Sequence, residues 1–138
     1  MSAASIPRPL PSLDGAAARY WKSLGERRIE LPRCRPCART IFPPRPFCPR
    51  CHGDDLCWEN IAPTGRVYTF SVVRRATHPW FADKVPYVYA LVELDGGLRL
   101  PSMIVDPPES VAIGLRVEPV FEPVDGDTTL LFFRLVGS

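Results

Sequence analysis

The sequence predicts a mainly β protein in three parts: an N-terminal α-helix, a small zinc ribbon, and then a five-stranded barrel. Three observations predict it. Two Cys-x-x-Cys pairs stand ten residues apart in CRPCARTIFPPRPFCPRC, from Cys34 to Cys51. Beyond Pro63, five apolar or alternating runs succeed one another with turn residues between them. Ahead of the cysteines, Ala16, Ala17, Tyr20, Trp21 and Leu24 recur at three- and four-residue steps, the mark of one helical face. The parts divide as residues 1–27, a tail and amphipathic helix; residues 28–61, the ribbon; and residues 62–138, the barrel.

Size and composition set the limits. A chain of 138 residues can bury one modest core with a satellite module, which excludes a large enzyme carrying its own cofactor domain. Hydrophobic residues make up 46% and charged residues 23%, ordinary values for a soluble globular protein, and no apolar run approaches the roughly 20 residues of a membrane-spanning helix. MSAASIPRPLPSLDG has no apolar segment between a basic head and a small-residue cleavage site, so the expected location is the cytoplasm. Five cysteines in that reducing compartment point to metal and away from a disulfide framework. Charge is unevenly spread: residues 1–50 carry nine Arg and one Lys against Asp14, Glu26 and Glu30, a net +7, while residues 51–138 carry seven basic and twelve acidic residues, a net −5. A positive first half suits an anionic ligand or partner; the second half is a poor match for a polyanion.

Each element then has its own reason. Residues 1–12 are rich in Pro and Ser and are expected to be disordered or loosely docked. The helix runs from Ser12 or Asp14 to about Leu24, with a cap at its start and Gly25 at its end. Tyr20 and Trp21 on that helix either pack into the core or wall a groove or subunit interface. In residues 28–60 short extended pieces, Arg28 to Arg33 and Leu56 to Ile61, bracket the cysteines with too little apolar material for a core of their own. The barrel strands are RVYTFSVVRR, YVYALVEL, LRLPSMIV, LRVEPVFEPV and TTLLFFRLV. YVYALV is apolar at successive positions and should be central, and Asp95-Gly96-Gly97 is a hairpin turn. Five strands, a short element between the third and fourth, and a long loop after the first fit a Greek-key barrel of the OB type.

Cys34, Cys37, Cys48 and Cys51 give C-x2-C-x10-C-x2-C. Two residues between paired cysteines let one tight turn aim both sulfurs at one ion, and two such turns complete a tetrahedral S4 shell that suits zinc; iron is the alternative, since spacing does not choose the metal. A closed shell leaves no position for a catalytic water, so the ion is structural. Pro49 presets the second turn and Gly53 supplies its relaxed geometry, whereas Pro36 removes an amide from the first and Ala38 stands where glycine is common. Four thiolates on a divalent ion carry a charge of about −2, which Arg33, Arg35, Arg39 and Arg50 would neutralise. Arg45 and the remaining cations are left for a ligand. Cys57 reads as a half-buried strand thiol. His52 adjoins a ligand and could replace a cysteine, but four cysteines suffice. His78 has no carboxylate, Ser or Cys partner nearby, and no catalytic triad can be assembled.

The order of parts, RRIELPRCRPCARTIFPPRPFCPRC, then TGRVYTFSVVRR, VPYVYALVELDGGLRLPSMIV, IGLRVEPVFEPV and a closing FFRL, resembles the bacterial and archaeal family that joins a rubredoxin-like zinc ribbon to an OB-fold, long filed as a domain of unknown function. FPPRPFCPRC and the stretch from Val85 to Gly97 carry the resemblance most specifically. It implies a non-catalytic accessory subunit that binds a thiolase-like enzyme in a hetero-oligomer, stabilises it and helps form an acyl-CoA channel. Carried to this sequence, that channel would be lined by Tyr20, Trp21, Trp80, Phe81 and Tyr87, with Arg74, Arg75 or Lys84 near the CoA phosphates. The aromatic loop THPWFADKVP is otherwise a plug for the barrel end. The competing reading is a single-stranded nucleic-acid binder, with Tyr68 and Phe70 stacking on bases. The −5 balance of residues 51–138 and the scarcity of lysine weigh against it.

Overall fold

The computed structural model describes residues 7–137, and residues 1–6 of the expected loose tail lie outside them. Residues 7–14 run without regular structure into a 3-10 turn at Gly15–Ala17 and then into helix α1, Ala18–Gly25. Both ends of the helix differ from the expectation. Gly15 sits at φ 72, and Asp14, in extended backbone, makes no capping bond to the helix but accepts the Ser12 hydroxyl instead. At the other end Gly25 stays helical, and the left-handed residue is Arg27, at φ 60. Arg27 N–H donates to Leu24 O at 3.0 Å and Arg28 N–H to Ser23 O at 2.9 Å, the paired bonds of a Schellman closure. Ser23 also ties the helix to the first strand: its buried hydroxyl donates to Tyr20 O and accepts from Glu30 N–H.

Strands β1 (Glu30–Cys34), β2 (Arg39–Thr40) and β3 (Leu56–Asn60) form an antiparallel sheet in the order β2-β1-β3. The ribbon's own buried cluster is small, Cys34, Ile41 and Cys48 with Cys37 and Leu56 packed against it. Ile29 and Leu31 are buried with Tyr20 and Leu24 of α1, and Trp58 and Phe121 pack against that cluster. The shortage of apolar residues in the ribbon is met by its neighbours.

The barrel consists of β4 (Gly65–Val73), β5 (Tyr87–Leu94), β6 (Arg99–Ile104), β7 (Arg116–Pro123) and β8 (Thr129–Leu135). It closes in the order β4-β5-β6-β8-β7, with β7 returning to β4 at Gly65↔Val117. The parallel seam between β6 and β8 pairs Ile104 with Phe133, and the Ser102 hydroxyl donates to Leu131 O across it at 2.9 Å. The five expected runs all become strands. Inward positions two residues apart, Val88, Ala90, Val92 and Leu94 on β5, meet Val67, Leu100, Val117 and Phe133 in one core. β5 is paired on both sides, yet its outer face is not covered: Tyr89 is 49% exposed. In a closed barrel every strand has two neighbours, so being central does not by itself account for apolar residues at the outward positions of β5. The hairpin at Asp95-Gly96-Gly97 forms as expected, with Gly97 at φ 101 and its N–H donating to Leu94 O at 2.8 Å.

Candidate functional site

Cys34, Cys37, Cys48 and Cys51 bring their sulfurs within 4.8 Å of one another. Cys34 Sγ lies 3.7 Å from Cys51 Sγ, and Cys37 Sγ 4.0 Å from Cys48 Sγ. A tetrahedron with Zn–S bonds of about 2.3 Å has edges of about 3.8 Å, so the four sulfurs already fit the ion. The two knuckles are built alike. Ala38 and His52, each next after the second cysteine of its pair, sit at φ 55 and 64, and their amides donate to Cys34 O and Cys48 O at 2.7 and 2.8 Å. The left-handed position of the second knuckle is therefore His52 and not Gly53, which instead donates its amide to Cys51 Sγ at 3.4 Å. Arg50 N–H reaches Cys48 Sγ at 3.4 Å; its counterpart in the first knuckle is Pro36, which has no amide to give.

The sulfurs are electrostatically unequal. Amide donation from Cys51 and Arg50 brings the Cys48 thiol down to about 6, while the neighbouring Cys51 sulfur and desolvation push Cys37 up to about 12. A divalent cation held by Cys34, Cys37, Cys48 and Cys51 would favour the thiolate form of all four. Of the four arginines expected to offset the thiolates, Arg33 pairs with Glu59 and Arg35 with Asp55, at 3.4 Å each. Arg39 and Arg50 form no ion pair among the described residues. Cys57 is half-buried on β3, opposite Arg33, as expected of a strand thiol.

The second feature is an apolar groove of about 450 Å³ where helix, ribbon and barrel meet. Tyr20 and Trp21 come from α1, Phe42, Pro43 and Pro44 from the ribbon, and Phe81 from the loop after β4. Tyr87 and Tyr89 of β5, Met103 of β6 and Phe132 of β8 form its floor. Its lining contains no ionised side chain. The rings touch edge to face, Tyr20 with Trp21 at 5.1 Å and with Phe42 at 5.9 Å, an arrangement that rigidifies the wall.

Four of the expected channel residues, Tyr20, Trp21, Phe81 and Tyr87, thus converge. Trp80 and Lys84 line an adjoining cavity of about 420 Å³ that shares Phe81, Tyr87, Met103 and Phe132 with the groove. Lys84 Nζ is engaged locally, 3.2 Å from Trp80 O, 3.0 Å from Asp83 and 3.7 Å from the Trp80 ring centroid. Arg74 and Arg75, just past β4, line neither cavity. The loop folds into a 3-10 turn at Pro79–Phe81, where His78 Nδ1 accepts the Trp80 amide at 3.0 Å, and Phe81 lies 5.3 Å from Tyr87 of β5. Phe42, Tyr89, Met103 and Phe132 join the lining without having been expected there. For Tyr89, Met103 and Phe132 the signal in the sequence is an apolar residue at an outward strand position, out of phase with the core; Phe42 lies in the bend after β2 and has no such periodic signal.

The outer barrel surface is also informative. Phe70 packs against the core, so it is not the stacking platform that a nucleic-acid binder requires. Tyr68 stays 42% exposed, with the Arg99 guanidinium 3.8 Å from its ring centroid. Arg66 and Arg99 both reach Glu93, and Arg116 grips Asp95 with two bonds of 2.7 and 3.0 Å, holding that carboxyl at about 2. No helix among the described residues is long and apolar enough to cross a membrane.

Residues 21–56 match the ChsH2 rubredoxin-like zinc ribbon domain, and residues 58–122 the ChsH2 C-terminal OB-fold domain. A DUF35 domain-containing scaffold protein of Methanocaldococcus jannaschii is 38% identical over 125 residues, covering 87% of this chain and 88% of that one. The chain belongs to the DUF35 family. This DUF35 chain is also 36% identical over 128 residues to a probable enoyl-CoA hydratase alpha subunit of Thermomonospora curvata. That match takes in 92% of the chain but spans only 40% of the relative's length. The solved structure of an Ltp2-ChsH2(DUF35) aldolase superimposes with a TM-score of 0.79 at 35% identity, covering 91% of this chain and 98% of that one. A DUF35 protein of unknown function from Sulfolobus solfataricus, at 15% identity and a TM-score of 0.61, shares the fold. Zinc ribbon, four cysteines and sulfur geometry together support a structural zinc.

Proposed function

We propose that this DUF35 chain is a non-catalytic accessory subunit of a thiolase-like enzyme in the cytoplasm, stabilising the complex and contributing one wall of an acyl-CoA channel. The likeness to the Ltp2-ChsH2(DUF35) aldolase, at 35% identity over 91% of the chain, carries this reading. The apolar groove supports it. Tyr20, Trp21, Phe42, Phe81 and Tyr87 would exclude water from an acyl group and orient it against rigid rings, while the uncharged lining leaves the CoA phosphates to cations outside the groove. Arg74 and Arg75 are exposed and could serve them from the rim only if the partner completes the site. Cys34, Cys37, Cys48 and Cys51 would hold zinc, which supplies a rigid crosslink and no reactive position.

Co-expression with a thiolase-like chain encoded beside this one tests the proposal. A stable hetero-oligomer in size-exclusion chromatography is expected, with turnover of the CoA ester falling when this subunit is omitted. If the two chains elute apart and the enzyme is fully active alone, the proposal is wrong.

A further inference from the structure

Arg8 stands between Pro7 and Pro9. A residue before proline is held out of the helical region, so Arg8 projects from an extended segment. Its side chain is nevertheless well covered, at 20% exposure. The guanidinium carbon lies 4.4 Å from the ring centroid of Trp80 and 5.6 Å from that of Phe132, and Nη1 donates to Glu122 Oε2 at 3.0 Å. Two aromatic rings and a carboxylate thus converge on one planar cation from three elements: the loop after β4, strand β8 and strand β7. A guanidinium stacks flat on a ring while donating in its own plane, whereas the Lys84 ammonium, 3.7 Å from the centroid of the same Trp80 ring, meets it as a point charge and bonds only within the loop.

The loop's own bonds are local. The amides of Trp80, Phe81, Ala82 and Lys84 donate to His78 Nδ1, His78 O, Pro79 O and Phe81 O, and Lys84 Nζ returns to Trp80 O and Asp83. None of these bonds reaches β7 or β8. Arg8 spans that gap. It also forms part of the lining of the 420 Å³ cavity, beside Trp80 and Phe132.

We infer that Trp80, Phe132 and Glu122 form a guanidinium-binding site, filled in cis by the proline-flanked Arg8, whose occupancy holds the His78–Lys84 loop as the wall shared by the two cavities. The ligand class is an arginine side chain presented by an extended Pro-Arg-Pro segment. This site goes beyond the accessory-subunit reading and stands without it. Arg8 is a positioning residue for the aromatic loop.

Hydrogen exchange on the full zinc-loaded chain tests it. In Arg8→Ala, exchange at the amides of Trp80, Phe81, Ala82 and Lys84 should rise about tenfold, while β5 amides and zinc content stay unchanged. Glu122→Gln should accelerate the same amides, and Arg8→Lys should fall between Arg8→Ala and wild type because it keeps the charge and loses the stacking. Acetyl-Pro-Arg-Pro amide at millimolar concentration should restore protection to Arg8→Ala. Unchanged exchange in Arg8→Ala overturns the tie between strap and loop. Full protection in Arg8→Lys, or no rescue by the peptide, overturns a site selective for guanidinium.

Discussion

Gly65 and Tyr20 illustrate how single residues answer to their surroundings. A Cβ at Gly65 would lie 2.2 Å from Glu93 O and 2.8 Å from the Leu94 Cα, both immovable backbone where β4 meets β5. Gly65→Ala should therefore cost about 3 kcal/mol, read as a lower urea midpoint. At Gly53 the nearest atom is Cys51 Sγ at 3.4 Å, and Gly53→Ala should change stability far less. The contrast reverses what spacing alone suggests, because glycine after a knuckle is a familiar pattern and a glycine opening a strand is not. Tyr20 carries a pH dependence. Burial raises its phenol from the ordinary 10 to about 12, so the unfolded chain loses that proton first. Its contribution is intact below pH 10 and should fade as pH rises toward 12, by about 2 to 3 kcal/mol in all. Urea unfolding at successive alkaline pH values, compared with Tyr20→Phe, should show that loss only in the wild type.

At the scale of elements, the ribbon depends on its ion and on its neighbours. Cys48→Ser, or removal of zinc by a chelator, should release one equivalent of zinc and forfeit roughly 10 kcal/mol of binding energy coupled to folding. Because Ile29 and Leu31 pack on Tyr20 and Leu24, helix α1 should loosen with the ribbon. Emission from Trp21 and Trp58 should then shift to the red, while the barrel amides of Val88 to Leu94 remain protected. Strand positions and the S4 site were legible in the sequence because period-two alternation and Cys-x2-Cys spacing are local signals. The helix ends were not. Arg27 takes the left-handed position that Gly25 could have filled more easily, since the chain must turn after Leu24 and Ser23 have reached their buried places. Arg74 and Arg75 stand out in the sequence by charge alone, and charge does not say which way a strand end points.

Across the whole molecule, the groove exists because three parts share one junction, which no single segment announces. Phe42 sits at that junction: it packs against the barrel core, against the cluster of Tyr20 and Ile29, and in the groove wall. Phe42→Ala should cost about 3 kcal/mol and split thermal unfolding of the zinc-loaded protein into two transitions, one for the barrel and one for helix and ribbon. A single unchanged transition by calorimetry would show that the halves are joined elsewhere. The same residue sets a rule for exchanging parts between relatives. Although Phe42 lies between the cysteine pairs and counts by sequence as ribbon, its contacts belong to the barrel and the helix as well. A chimera that grafts one relative's knuckles onto another's barrel should keep the recipient's residue at this position, because a ring shaped for a foreign barrel would arrive with the graft.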